Sequence, residues 1–194
     1  QIGGTHLNLV EFMTDIHPMR NHGEAEDFIS RVGYVEKAMN NQILWLQEQA
    51  SAGIFPPKFV YEHVINQLEG MVAGTESPLL DVFVRKIGEL DLSNEKKEIL
   101  IADLNNALNT SFYPAYKALL DYFRDTQGLA SIHDGAWSLP NGDEYYALRL
   151  RSYTTTDFSA QQIHDIGLSE VSRITKRMGE ILDEIGYQSN KPVG

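Results

Sequence analysis

Ser93-Asn-Glu-Lys-Lys-Glu-Ile-Leu-Ile-Ala-Asp-Leu-Asn-Asn-Ala-Leu-Asn-Thr-Ser-Phe-Tyr-Pro-Ala-Tyr-Lys-Ala-Leu-Leu-Asp-Tyr-Phe123 is the stretch that decides the fold class. Its apolar residues Leu100, Leu104, Leu108, Phe112, Tyr116, Leu119, Leu120 and Phe123 recur every three or four positions. That is the period of an α-helix with one buried face, and a strand would alternate every two. Pro114 sits inside the pattern. It removes one backbone donor and crowds the carbonyl four residues earlier, so a kink is predicted there.

Outward from this stretch the same period recurs. A second long helix opens at Ser159, where Ser159 and Gln162 form a capping box and Phe158 and Ile163 occupy the staple positions. Ile166, Val171, Ile174, Met178, Ile181, Leu182 and Ile185 follow, and Gly186 reads as its C-cap. Towards the N-terminus, Ile2 to Ile16, with apolar residues from Leu7 onward, reads as a short helix stopped by His17-Pro18. Asn21 and Glu24 read as the capping box of a helix that continues past Gly33 to Leu46. Val60 to Val72 and Leu79 to Ile87 give two more stripes, the latter opened by Ser77-Pro78 in N-cap and N1 positions. The only strand candidate is Ser152 to Thr156, short and β-branched. The expectation is all-α: an irregular array of about seven to eight helices, with at most one short strand or hairpin near residues 150–156. Residues 1–194 form one helical domain or a piece of a larger fold, with an internal boundary placed near residues 88–93.

Composition narrows the function. There are 27 Asp and Glu against 16 Lys and Arg, a formal net charge of -11. The basic pairs Lys96-Lys97 and Lys176-Arg177 are flanked by Glu95, Glu98 and Glu180, so no basic face is available for nucleic acid. The absence of cysteine excludes a disulfide framework and thiolate zinc sites. No apolar run is long enough to span a bilayer, and no signal-peptide pattern opens the chain. Because the first residue is Gln1 rather than Met, a piece of a longer protein is expected.

Metal and nucleophile patterns are missing. The chain has no His-Glu-x-x-His helix and no Glu-x-x-His pair, which removes the zinc-peptidase and di-iron signatures from this sequence. His17 and His22 straddle a proline, and His6, His63, His133 and His164 stand apart, each read as a surface or hydrogen-bonded structural histidine. No serine elbow or phosphate-cradling glycine loop is present.

One segment nonetheless gathers polar chemistry. Leu139-Pro140-Asn141-Gly142 reads as a turn, with Pro140 fixing φ and Gly142 supplying positive φ. Asp143 and Glu144 suit the start of a short helix bearing Tyr145, Tyr146, Leu148, Arg149 and Leu150. Four-residue spacing places Tyr146 with Leu150 on a buried stripe and Tyr145 with Arg149 on a second. Two readings stand for this segment. In one, Tyr145 and Arg149 are a solvated rim and Trp137 anchors a loop; in the other they form a cleft wall that offers hydroxyl and guanidinium donors to a peptide or carboxylate. Thr154-Thr155-Thr156 is likewise either an edge strand for an extended peptide or a stiff linker.

The pattern Gly135-x-Trp137-x-Leu139-Pro140-x-Gly142-x-x-Tyr145-Tyr146-x-x-x-Leu150-Arg151, then Thr154-Thr155-Thr156-Asp157 and Ile163-His164-x-x-Gly167-x-x-Glu170-Val171, resembles the bacterial family catalogued as domain of unknown function 885. Phe112-Tyr113-Pro114-Ala115-Tyr116 and Gly53-Ile54-Phe55-Pro56-Pro57 agree with it. The likeness is distinctive from about Phe112 to Arg173 and looser from Gln1 to Asp91, and Gln161-Gln162 replaces the usual acidic pair. The resemblance implies a zincin-type zinc metallopeptidase parent that hydrolyses peptide bonds with zinc-activated water. Its zinc motif lies downstream of the matched segment, so zinc is implied for the longer parent and no ligand or catalytic residue transfers here. The implied partners are the zinc-binding remainder of the polypeptide and a peptide substrate. A periplasmic or lipid-anchored location is implied, against a cytoplasmic one left open by the residues. Trp137, Tyr145, Tyr146, Arg149, Arg151, Tyr153, Thr154, Thr155 and Thr156 are the candidate substrate contacts of a non-catalytic cleft wall. The rival expectation is a helical binding or scaffold module, and a fragment of a larger fold is expected to expose an apolar face.

Overall fold

In a computed structural model, which describes residues 4–73 and 77–187, the chain is all-α. The stretch quoted above forms α6 (Asn94–Ala107), a π-helical turn at Leu108–Phe112, and α7 (Tyr113–Thr126). The interruption attributed to Pro114 thus takes the form of a widened turn just before it, closed by the Tyr113 N–H donating to the Leu108 carbonyl. Backbone angles stay helical through the turn, with φ -64° and ψ -60° at Phe112. The extra residue also keeps the apolar stripe on one face. At about 100° per residue, an unbroken helix would smear Leu100 to Phe123 over an arc of about 200°, and one inserted residue brings them back within about 100°. Leu100, Leu104, Leu108, Phe112, Tyr116, Leu119, Leu120 and Phe123 are all buried.

The helix expected to run on past Gly33 is instead two, α2 (His22–Gly33) and α3 (Val35–Ser51), separated at Tyr34. The break strands backbone groups, and the π turn satisfies them. The buried Ser111 hydroxyl donates to the Gly33 carbonyl at 2.9 Å and accepts the Glu36 N–H at 3.1 Å. Leaving such buried groups unpaired costs about 1–3 kcal/mol, so one serine fixes where the helix breaks.

Upstream, α1 (Thr5–Glu11) runs into a π turn at Phe12–Ile16 and stops at His17-Pro18. Asn21 caps α2 by accepting the Glu24 N–H at 3.0 Å. The other half of the expected box differs, because the Glu24 carboxylate takes the Arg20 N–H and guanidinium instead. Then come α4 (Lys58–Val72) and α5 (Pro78–Gly88), the latter with proline in its first turn but no side-chain cap from the buried Ser77. Lys58 N–H donates to the Ser131 carbonyl at 2.9 Å, within an isolated bridge between Pro57 and Ser131.

The chain divides into two compact units, Gln1–Asp134 and Gly135–Gly194, and the connection at residues 88–93 lies inside the first. The first unit holds the core, in which Phe28 packs on Phe83, Tyr61 on Phe123, and Phe112 stacks on Tyr116 at 4.2 Å. The second unit contains a 3₁₀ turn at Ala136–Ser138, α8 (Gly142–Thr154) and α9 (Ala160–Glu184). Among its described residues no hydrophobic side chain is buried. The strand expected at residues 152–156 does not form, because α8 extends to Thr154.

Candidate functional site

The turn that opens α8 is built differently from the expectation. Asn141, not Gly142, adopts the left-handed conformation, with φ 54° and ψ 35°. Asparagine tolerates that region better than most residues, because its short amide bonds locally. Gly142 is required for another reason: a Cβ there would lie 2.0 Å from the Ala136 carbonyl oxygen. At Gly135 a Cβ would lie 2.0 Å from Trp137 Nε1, which places the Trp137 indole over the loop, but that contact is with a side chain and not with backbone. Asp143 and Glu144 fill the first turn of α8, where the helix dipole favours them.

Along α8 the expected stripes are not realised. Tyr145 and Tyr146 are both about half exposed, so Tyr146 and Leu150 form no buried stripe. Arg149 pairs one turn on rather than one turn back, donating to the Tyr153 hydroxyl at 2.6 Å with its guanidinium 4.6 Å from that ring centre. The threonines close the helix. Thr154 Oγ1 donates to the Leu150 carbonyl at 2.8 Å and meets Thr156 Oγ1 at 2.9 Å. Thr155 turns left-handed, with φ 54°, and its N–H donates to the Arg151 carbonyl at 2.9 Å. Threonine hydroxyls that bond the preceding turn compete against extended backbone, which is why the predicted peptide-binding edge is absent. A β-branched residue in this region is strained by about 1–2 kcal/mol.

Of the nine candidates, Tyr146, Arg151 and Thr156 line one cleft of about 460 Å³ between α8 and the start of α9. Asp143, Asp157 and Phe158 join them. Trp137, Tyr145, Arg149, Tyr153, Thr154 and Thr155 do not line it. Among the described residues the Arg151 guanidinium has no hydrogen-bond or ionic partner, so the cleft, whose lining also includes Asp143 and Asp157, holds one uncommitted cation. The floor is fixed by the α9 capping box: Ser159 Oγ accepts the Gln162 N–H at 3.2 Å, and Gln162 Oε1 accepts the Ser159 N–H at 2.8 Å. At the far end Gly186, at φ 69°, donates to Asp183, and Tyr187 donates to Leu182, a Schellman closure.

A second cleft, in the first unit, was not read from the sequence. It encloses about 710 Å³ and is lined by residues of α1, α3, α4 and α7, including His6, Trp45, Phe59, His63 and Gln67. His6 Nε2–H donates to Gln67 Oε1 at 3.1 Å, and the Tyr116 hydroxyl donates to the His6 carbonyl at 2.5 Å. Burial pushes the His6 pKa below its usual value, against the opposing pull of Gln67, so the ring is neutral at pH 7. The available signal was Trp45, which lies off the Met39–Leu46 buried face of α3 and stays half exposed. Elsewhere His17 is buried between Phe12 and Phe28, its Nδ1–H donating to the Pro18 carbonyl at 2.6 Å. Among the described residues no three His, Cys, Asp or Glu side chains are grouped to hold a metal ion, and no helix is long and apolar enough to cross a membrane. The described residues therefore form no zinc site.

Comparison with known proteins agrees with this all-α architecture. The chain is similar to the crystal structure of the putative lipoprotein from Colwellia psychrerythraea, with 30% identity and a TM-score of 0.88. The match covers 98% of this chain and 33% of that one, so the chain spans about a third of that protein's length. No curated protein matches the chain. The family described as "Bacterial protein of unknown function (DUF885)" matches residues 1–193, essentially the whole sequence, and the chain belongs to that family.

Proposed function

We propose that this chain is the helical, non-catalytic portion of a longer zincin-like peptidase, and that its second unit forms part of the wall of the peptide cleft. The observation that carries this reading is the face of α9. Ile166, Ile174, Met178, Ile181 and Ile185 recur at helical spacing, and all are 42–69% exposed. A well-capped amphipathic helix whose apolar face is left largely exposed among the described residues is built to be covered. Covering each such side chain is worth about 1 kcal/mol or more. A relative three times longer supplies the natural occupant, which is further chain of the same polypeptide. Arg151, with Tyr146 and Thr156 on the cleft beside α9, is the group that orients a peptide carboxylate, as charge-assisted pairing favours. The hydrolytic centre belongs to the remainder of the polypeptide, and no step of the reaction is assigned to this chain.

The test is metal analysis and peptide-library cleavage on the purified longer protein, followed by Arg151→Ala. The reading expects stoichiometric zinc, cleavage, and a variant whose KM rises about tenfold with kcat little changed. A protein that carries no zinc and cleaves no peptide leaves the scaffold reading in its place.

A further inference from the structure

The first unit's cleft has no part in the reading above, and its lining has a distinctive chemistry. Among the described residues no Asp, Glu, Lys or Arg borders it, in a chain whose residues are 22% charged. A charged ligand would give up its hydration there without a counter-charge, so the ligand is neutral. Two aromatic side chains are left partly in water at this cleft, Trp45 at 52% and Phe59 at 44% exposure. Aromatic faces of that kind bind flat apolar surface, yet the remainder of the lining is rich in hydrogen-bonding groups. Gln42, Gln49 and Gln67 each present a side-chain amide, and two of these are already oriented. The Thr5 hydroxyl donates to Gln42 Oε1 at 2.9 Å, and His6 donates to Gln67 Oε1 at 3.1 Å. With each oxygen engaged, the amide NH₂ groups remain as donors.

Peptide modes fit this lining poorly. Apart from Gly4 and Pro56 the described walls are helical, so they offer no sheet edge to an extended chain, while the interleaved amides interrupt the apolar groove an amphipathic helix needs. We propose that this cleft binds a short neutral oligosaccharide, with the C–H faces of its rings against Trp45 and Phe59 and its hydroxyls on the glutamine amides and His63. The volume of about 710 Å³ suits a ligand of two or three rings. This site is separate from the α8–α9 cleft and does not depend on a peptidase role.

Titration calorimetry and tryptophan fluorescence on the intact protein, with cellobiose, maltotriose and chitobiose, test it. A glucuronic-acid disaccharide and tri-alanine serve as charged and peptide controls. At least one neutral saccharide is expected to bind with Kd between about 10 μM and 1 mM. Trp45→Ala, a change at a half-exposed position, is expected to weaken it about tenfold, and Gln49→Ala severalfold, both with an unchanged melting temperature. No binding by any neutral saccharide at about 10 mM overturns the proposal. So does preferential binding of tri-alanine or of the uronic acid, and so does saccharide binding indifferent to both substitutions.

Discussion

The two units use the same sequence signal to different ends. In the first, the 3.6-residue stripe of α6 and α7 meets α2, α3, α4 and α5, and every large apolar residue between Leu100 and Phe123 on that stripe is buried. In the second, α9 has a comparably regular stripe and a better-formed pair of caps, yet none of its residues is buried. Caps and propensity therefore specify where a helix begins and ends, whereas burial is what makes its apolar face contribute to stability. The first unit carries its own core. The second buries no hydrophobic side chain among its described residues.

The sharpest way to break this contrast is truncation at matched positions. Leu104→Ala in the first unit is expected to cost about 2–5 kcal/mol in chemical denaturation, because the methylenes leave a cavity. Ile174→Ala, at a 47% exposed position of α9, is expected to cost less than about 1 kcal/mol in the same chain. Equal costs would mean that α9 is packed after all.

Next in size is Gly142→Ala. The 2.0 Å approach to the Ala136 carbonyl involves backbone, which cannot rotate away, so a loss of about 2–3 kcal/mol confined to the second unit is expected. Hydrogen exchange localises it: faster exchange in α8 with an unchanged α7 is the expected pattern. Ser111→Ala follows, at about 1–3 kcal/mol, and acts on the first unit because it orphans the Gly33 carbonyl and the Glu36 N–H.

Acid should also separate the two units. Burial lowers the pKa of both His6 and His17 below 6.5; the Pro18 carbonyl opposes this at His17, and the nearby Arg31 and Lys86 reinforce it. Below pH 6.5 the unfolded chain binds protons that the folded unit refuses. Stability is therefore present above that pH and lost as pH falls through 6.5 and below. Denaturation midpoints measured from pH 8 to pH 5 should fall in the wild type and fall less in His17→Phe. A flat profile would contradict the burial of these rings. A small effect is also expected at the caps, where Ser159→Ala should cost α9 about 1 kcal/mol of local stability, read by amide exchange.

Much of this was legible residue by residue. The Ser159–Gln162 box, the Gly186 closure and the Leu100 to Phe123 stripe are local patterns, and each formed as read. The kink read at Pro114 took the form of a π turn at Leu108–Phe112, just before the proline. The features that escaped reading are set by distant partners. Ser111 decides the break at Tyr34 across 78 residues of sequence from Gly33. Gly142 answers to a carbonyl in the preceding loop, and the first-unit cleft joins α1 to α3 and α4, so neither follows from a local period. At the candidate site, the family pattern located the segment, but only Tyr146, Arg151 and Thr156 of the nine candidates share a cleft, because α8 runs on to Thr154 and spreads the others around a helix.

Amide hydrogen exchange across α9, compared between this chain alone and the intact longer protein, tests the central claim most directly. If the α9 face is covered by further chain of the same polypeptide, its amides should be on the order of a hundredfold more protected in the longer protein, while those of α6 and α7 stay unchanged. Equal protection of α9 in both would contradict the account and return the second unit to the role of a free-standing helical module.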